Sequence, residues 1–195
     1  FLKAITIKPD YAEAHYNLAN VFHYTGSLDD AISSYENAIK INPNYIEAYN
    51  NMGSVYRKVG EFEKGITCYT RAIFLKPDFA EAYNNIGITF REVGKLEKSV
   101  LNFEKALKIK PNFAEAFCNL GLSLYDTGNI EGAVSHYQKA LKLNPDYAEA
   151  YNHLGITYRY LGQLNKAITS FQKALLIDPD NYDFHNNLGS VLNEL

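Results

Sequence analysis

Paired asparagines recur in this sequence at intervals of 34 residues or a multiple of it: Asn50–Asn51, Asn84–Asn85 and Asn186–Asn187. Each carboxamide carries hydrogen-bond donors and an acceptor, the two kinds of group that a peptide backbone also carries. Asparagine is among the weaker helix formers, yet these pairs lie inside stretches with a helical pattern of apolar residues. The regular placement therefore indicates that the amides have a role, and their chemistry favours hydrogen bonds to another chain.

No other set of residues predicts a chemical site. The five histidines form no zinc-binding motif, Cys68 and Cys118 are not at metal-ligand spacing, and no nucleophile–base set or phosphate-binding glycine loop occurs. We therefore expect no cofactor, no metal and no catalysis. Two isolated cysteines without a disulfide fit a reducing compartment such as the cytoplasm.

Composition limits the class of protein. The chain has 195 residues, of which 47% are hydrophobic, and a formal net charge of −3. This is enough apolar material for a core, and it excludes a disordered tail. The slight acidic excess argues against nucleic-acid binding, and no apolar run is long enough to span a membrane. Because the chain begins at Phe1 rather than at methionine, we expect a fragment of a longer protein.

The prolines reveal a repeat. They are Pro9, Pro43, Pro77, Pro111, Pro145 and Pro179, each 34 residues after the one before. A fixed period in this range predicts a stacked array of helical units. With Ala12 as position 1, the predicted repeats are residues 12–45, 46–79, 80–113, 114–147 and 148–181, with partial repeats at 1–11 and 182–195. We expect residues 1–195 to form a single array.

Each repeat predicts two helices. Positions 4, 7, 8 and 11 are apolar, aromatic or small in most repeats, which is the spacing of one face of a first helix. A glycine closes that helix at position 15, as expected for a left-handed C′ residue: Gly26, Gly60, Gly94, Gly128 and Gly162. The second helix has small residues at positions 20 and 27 and an aromatic residue at position 24. The small residues allow close helix packing, and the aromatic side chains fill the space between neighbouring pairs.

This pattern resembles the tetratricopeptide repeat (TPR) family over essentially the whole chain. The usual tryptophan of the family at position 4 is replaced here, most often by tyrosine as in Tyr49. The resemblance implies an all-α solenoid of antiparallel helix pairs in a right-handed superhelix, with the first helices lining the concave face. Because one helix pair cannot bury its own apolar face, stability is expected to come from packing between neighbours.

Position 6 of the first helix carries a column of amides: Asn17, Asn51, Asn85, Asn119, His153 and Asn187. The column resembles the one in the TPR superhelix of the O-linked N-acetylglucosamine transferases, from which His153 departs. The resemblance implies binding to the backbone of an extended peptide. Structural bonds to a neighbouring helix, or simple exposure to solvent, stay open as alternatives. If the column lines a groove, alanine at positions 51 and 85 should leave stability unchanged or slightly raised.

Three further positions complete the predicted peptide-binding face. They are the asparagines at position 5 (Asn50, Asn84, Asn152), the arginines at position 12 (Arg57, Arg91, Arg159) and the apolar residues at position 9 (Ile88, Leu122, Ile156). Apolar patches beside amides and arginines suit a bound protein segment. Position 5 has no lysine, which argues against the terminal-carboxylate clamp of TPR co-chaperones.

Acidic residues at position 2 form a second row: Glu13, Glu47, Glu81, Glu115, Glu149 and Asp183. Three residues before each of them lies a residue suited to an N-cap: Asp10, Asn44, Asp78, Asn112, Asp146 and Asp180. A capping box at the start of each first helix is therefore favoured over a basic ligand as the reason for this row.

Two function classes remain. The leading hypothesis is an interaction scaffold for a protein or peptide partner, and its variant is the substrate-recruiting portion of a larger enzyme such as a glycosyltransferase. The other hypothesis is self-association. It rests on Leu188, Val191, Leu192 and Leu195, which we expect to lack a covering repeat.

Overall fold

The computed structural model describes residues 1–194, which contain twelve α-helices and no β-strand. The first six are α1 (Leu2–Ile7), α2 (Ala12–Thr25), α3 (Leu28–Ile41), α4 (Ile46–Lys58), α5 (Phe62–Leu75) and α6 (Ala80–Glu92). The others are α7 (Leu96–Ile109), α8 (Ala114–Asp126), α9 (Ile130–Leu143), α10 (Ala148–Tyr160), α11 (Leu164–Ile177) and α12 (Tyr182–Leu192). The predicted all-α class is confirmed.

The chain divides into two compact units, Phe1–Gly94 and Lys95–Leu195. In the first unit, α2 pairs with α3 and α4 with α5, α1 packs on α2, and α6 packs on α5. In the second, α8 pairs with α9 and α10 with α11, α7 packs on α8, and α12 packs on α11. The predicted grouping of all repeats into a single array stays a prediction.

Glycine at position 8 creates room for the aromatic side chain at position 24. A Cβ atom on Gly53 would lie 2.7 Å from the ring of Tyr69, and one on Gly121 would lie 2.6 Å from the ring of Tyr137. Both rings are buried, and Tyr137 also packs in one cluster with Ala150 and Leu154 of the next repeat. The predicted close packing through small residues is therefore confirmed in each unit.

The glycines at position 15 end the first helices as predicted. All five have positive φ, between +68° and +84°, whereas no other residue type has positive φ within residues 1–194. The turn after Gly60 closes with a bond from the Glu61 N–H to the Tyr56 carbonyl, 2.9 Å long. This is the six-to-one bond of a Schellman motif, which satisfies a carbonyl at the helix end.

The predicted capping boxes are wrong. The first helices begin one residue later than expected, and the cap residues of the first five are Tyr11, Tyr45, Phe79, Phe113 and Tyr147, none with a side-chain cap bond. The ring of Tyr45 packs against the core around Ala48 instead. Burial of an aromatic ring thus takes precedence over a polar cap. Among the first helices within residues 1–194, only α12 has a side-chain cap, which comes from Asn181 rather than Asp180.

One predicted exposure is also wrong. Val191 is fully buried, because it packs against Ala167 and Phe171 of α11. Leu188 is half-buried on the same cluster, whereas Leu192 is 51% exposed. Leu195, the fourth residue of this predicted surface, lies outside the described residues.

Candidate functional site

The first helices lie side by side within each unit. In the first unit α2 contacts α4 and α4 contacts α6, and in the second unit α8 contacts α10 and α10 contacts α12. A residue on one first helix therefore lies beside the residue 34 or 35 positions later, which is on the next first helix of the same unit. We call the surface formed by positions 5, 6, 9 and 12 of these helices the first-helix face of each unit.

On this face, position 6 of one repeat is bonded to position 5 of the repeat before it. Asn85 donates through Nδ2 to Oδ1 of Asn50 over 2.9 Å in the first unit. Asn187 makes the same bond to Oδ1 of Asn152 in the second unit, also over 2.9 Å. The paired asparagines thus form amide bonds between adjacent repeats, which is one of the alternatives that the sequence left open.

The Asn51 side chain makes three hydrogen bonds inside the protein. Its Nδ2 donates to the Tyr16 hydroxyl and to Oδ1 of Asn20, each over 3.1 Å. Its Oδ1 accepts a 3.3 Å bond from Nδ2 of Asn50. Both amide hydrogens of Asn51 are therefore engaged inside the protein, and only acceptor capacity remains for another molecule.

A buried tyrosine supports this arrangement from the second helix. The Tyr35 hydroxyl donates to Oδ1 of Asn20 over 2.5 Å. Burial, which disfavours the phenolate, raises the pKa of Tyr35 to about 12. The hydroxyl therefore keeps its proton at neutral pH and acts as a donor that fixes the Asn20 amide.

Other members of the column keep unused hydrogen-bonding groups. No hydrogen bond joins the Asn17 side chain to another described residue. Asn85 and Asn187 each use one N–H, which leaves the second N–H and Oδ1 available. All three side chains are half-buried rather than fully enclosed.

Two residues predicted as peptide contacts have little surface to offer. Asn84 is 2% exposed and Asn152 is 8% exposed, while Asn50 is half-buried. Asn152 faces the neighbouring first helix α12, where it accepts a bond from Asn187. The prediction is corrected here: Asn84 and Asn152 are interior residues of the face and do not line its open surface.

Two of the arginines at position 12 pair with a carboxylate of the following repeat. Nη1 of Arg57 lies 2.6 Å from Oε1 of Glu92, and Nε of Arg159 lies 2.8 Å from Oε1 of Glu194. Arg91, the third predicted arginine, is half-buried and has interactions of its own. A ligand would have to compete with a carboxylate to bind Arg57 or Arg159 directly.

The predicted apolar residues are only partly available. Ile88 is half-buried in the first unit. In the second unit Leu122 packs partly against the core around Ala133, and Ile156 against the core around Phe171. These side chains therefore contribute to the stability of the face as well as to its surface.

The non-amide member of the column has a different partner. The His153 ring stacks on Tyr137, with centroids 5.9 Å apart and an interplanar angle of 27°. Asn119, one repeat earlier, is half-buried and has a contact of its own. His153 thus interrupts the amide pattern by packing against the second helix of the preceding repeat.

Comparison with known families decides the assignment of the chain. Models of the TPR repeat match residues 1–26, 19–60, 53–94, 87–128 and 121–158, and a tetratricopeptide repeat model matches residues 148–181. The chain belongs to the TPR family. The predicted solenoid class is confirmed with it, and the family is one of protein-interaction scaffolds.

Solved structures with the same fold include other TPR proteins. The chain is 25% identical to MamA, with a TM-score of 0.71 over 83% of this chain and 95% of that one. It is 22% identical to TTC0263, a thermophilic TPR protein of Thermus thermophilus, with a TM-score of 0.78 over 93% and 98% of the two chains. It is also 22% identical to YrrB, a TPR protein with an unusual peptide-binding site, with a TM-score of 0.69 over 100% and 97%. A search of curated protein sequences gave no significant match.

Two residues of the first-helix face were not predicted from the sequence. Tyr16 and Asn20 both accept bonds from Asn51, although neither was among the predicted site residues. The signal for Tyr16 was its place at position 5, where Asn50 and Asn152 serve as acceptors in later repeats. A tyrosine hydroxyl accepts a hydrogen bond as an amide oxygen does, so the position keeps its role while the residue type changes.

The described part of this TPR chain offers no metal centre or membrane span. Residues 1–194 contain no group of three or more His, Cys, Asp or Glu side chains arranged to hold a metal ion. None of their helices is long and apolar enough to cross a bilayer.

Proposed function

We propose that the first-helix face of each unit binds an extended segment of a partner protein, and that this part of the chain acts without catalysis of its own. The observation that carries the proposal is the set of position 6 carboxamides with unused donor and acceptor groups, namely Asn17, Asn85 and Asn187. A half-buried carboxamide of this kind is stabilised when a partner bonds both to its free N–H and to its Oδ1.

The spacing of the column suits an extended backbone. Packed helices have axes about 8–10 Å apart. An extended chain covers about 10 Å in three residues. One carboxamide of the face would therefore meet the ligand backbone about once every three residues. Because backbone groups are the same in every sequence, such a site would tolerate varied side chains.

The fold neighbours support the same interpretation by analogy. YrrB is a TPR protein with an unusual peptide-binding site. Its similarity to this chain concerns the fold, so the residues that would bind a peptide here are argued from the first-helix face alone. The proposal holds equally for a chain attached to a catalytic domain, where the bound segment would be the substrate of that enzyme.

The test begins with random dodecapeptides displayed on phage and selected against the wild-type chain. Affinity of a selected peptide is then measured by fluorescence anisotropy for Asn17→Ala with Asn85→Ala in the first unit, and for Asn187→Ala in the second. Loss of two hydrogen bonds should weaken binding about 10- to 30-fold in one of these variants. Asn37→Ala is the matched control, because Asn37 is exposed on the second helix α3.

Chemical modification of the selected peptide gives a second test of the proposal. N-methylation of single backbone amides of the peptide should weaken binding, whereas alanine replacement of most of its side chains should not. Selection of no peptide, or equal affinity for both variants and the wild type, would overturn the proposal.

Self-association through α12 is a second proposal with an observation of its own. A Cβ on Gly189 would meet nothing within 4 Å, whereas one on Gly155 would meet the Phe171 ring at 2.6 Å. Leu192 on the same helix is half exposed. These residues could accept an apolar side chain from a second copy. Sedimentation velocity should then show a concentration-dependent dimer that Leu192→Glu abolishes, and a monomer at all concentrations would refute it.

A further inference from the structure

We propose that Asn50 and Asn152 are positioning residues: each holds the carboxamide of the next repeat so that its free N–H and Oδ1 are presented to a bound peptide backbone. This inference rests on the proposed peptide-binding function and assigns the orientation of that site to residues that do not touch the ligand. It concerns Asn50 with Asn85 in the first unit, and Asn152 with Asn187 in the second.

The first step is the bond itself. An asparagine carboxamide has a broad χ2 preference and two edges of opposite hydrogen-bonding character. Without a fixed partner, the Asn85 amide could present its donor or its acceptor edge in either sense. The 2.9 Å bond to Asn50 removes one N–H from that choice and thereby fixes which groups remain for a ligand.

The second step is that the acceptor is itself fixed. Asn50 donates from Nδ2 to Oδ1 of Asn51, so its own Oδ1 is the atom directed to the following repeat. Asn51 in turn donates to Tyr16 and Asn20. The donors therefore run in one direction, from α6 through α4 to α2, and this order sets the orientation of every amide in the chain of bonds.

The third step is burial. Asn152 is only 8% exposed, so its Oδ1 has little access to water and stays committed to Asn187. An amide in this environment cannot exchange its protein partner for solvent without loss. The same geometry recurs in both units although the surrounding side chains differ, which argues that the pair of positions carries the role.

The test uses the Asn85-dependent dodecapeptide from the selection and three variants of single residues. Asn50→Leu keeps the approximate volume and removes the acceptor, whereas Asn50→Asp keeps the acceptor oxygen. We expect Asn50→Leu to weaken peptide binding about fivefold, close to the effect of Asn85→Ala. Asn50→Asp keeps the acceptor for Asn85 but loses the donor to Asn51, so it should weaken binding less than Asn50→Leu, by about two- to threefold. Asn37→Leu, an exposed substitution of the same kind, should have no effect.

A spectroscopic readout separates positioning from a structural role. In ¹⁵N-edited spectra of the free protein, the Asn85 amide proton that is bonded to Asn50 should move toward the position of an unbonded amide in Asn50→Leu. In Asn50→Asp it should keep the shift of a hydrogen-bonded proton. Urea midpoints measured alongside show whether a loss of affinity merely follows a loss of stability. Unchanged Asn85 amide signals in Asn50→Leu would overturn the inference.

The outcomes also separate the two proposals. If Asn85→Ala weakens binding while Asn50→Leu does not, the positioning role is wrong and the peptide-binding function stands. If no selected peptide depends on Asn85 or Asn187, both proposals are overturned. If Asn152→Leu weakens peptide binding and shifts the side-chain amide signals of Asn187, the positioning role extends to the second unit.

Discussion

Asn85 and Asn50, which lie on neighbouring first helices, are joined by a 2.9 Å bond from Nδ2 to Oδ1. The relationship gives the two members of the pair Asn50–Asn51 different roles. Asn50 accepts from the following repeat, and Asn51 donates to the preceding repeat. Asparagine costs about 0.5–0.7 kcal/mol relative to alanine inside a helix, and a net hydrogen bond of about 1 kcal/mol offsets this.

This bonding reverses one expectation from the sequence. Asn51→Ala combined with Asn85→Ala removes the bonds to Tyr16, Asn20 and Asn50. We now expect the free energy of unfolding to fall by about 1–3 kcal/mol, because the lost bonds outweigh the gain in helix propensity. Asn17→Ala is the control, since Asn17 has no such bond and should be neutral or slightly stabilising. Urea denaturation, followed by circular dichroism, measures the free energy of unfolding of each variant. Equal stability of the double variant and Asn17→Ala would contradict the interpretation.

Gly53 and Gly189 occupy the same repeat position in different surroundings. A methyl group at Gly53 would lie 2.7 Å from the Tyr69 ring, whereas one at Gly189 would meet nothing within 4 Å. Gly53→Ala should therefore destabilise by about 1–3 kcal/mol through overpacking. Gly189→Ala should be neutral or stabilise by up to about 1 kcal/mol, because alanine is the better helix former. Thermal and urea midpoints that rank the two variants the other way would refute this packing account.

The stability of the protein should decrease at alkaline pH. Burial, with a smaller contribution from Glu36, raises the pKa of the Cys68 thiol to about 12. The folded state therefore favours the protonated thiol, and its contribution is fully present below the ordinary pKa of 9.0. As pH rises from about 9 to 12, the unfolded chain ionises first, and stability falls by at most about 1.4 kcal/mol per pH unit for this group.

A serine variant isolates the thiol. Ser34 and Ser170 occupy the repeat position of Cys68 and are likewise buried, so Cys68→Ser suits the site. The variant should show a shallower decrease of the urea midpoint between about pH 9 and 12 than the wild type, after correction for any difference at neutral pH. Parallel pH profiles of the two proteins would show that Cys68 does not contribute.

The pair between Arg57 and Glu92 should contribute little to stability despite its 2.6 Å distance. Both side chains are about one third exposed, so solvent screens their attraction. A double-mutant cycle with Arg57→Ala and Glu92→Ala should give a coupling energy below about 1 kcal/mol that decreases in about 1 M salt. A coupling of several kcal/mol would mean that this pair is a main link between the repeats.

Much of the fold could be read from the sequence. The 34-residue spacing of the prolines, the glycines at position 15 and the apolar stripes predicted helical repeats, and positive φ at Gly60 and its equivalents agrees. These features are local: a left-handed residue needs glycine, and a proline ends a helix wherever it stands. The helix starts were predicted one residue early, because the burial of rings such as Tyr45 was not visible in the cap pattern.

The roles of the amides were decided by tertiary structure. The sequence placed Asn50, Asn84 and Asn152 on the same predicted surface as Asn85, since all belong to the first helices. Only the packing of adjacent first helices within a unit shows that position 5 of one repeat faces position 6 of the next, with Asn152 covered in the process. A repeat period determines which residues are equivalent. Which equivalent side chains touch depends on the rotation and offset between packed helices, and those are set by contacts far apart in the chain.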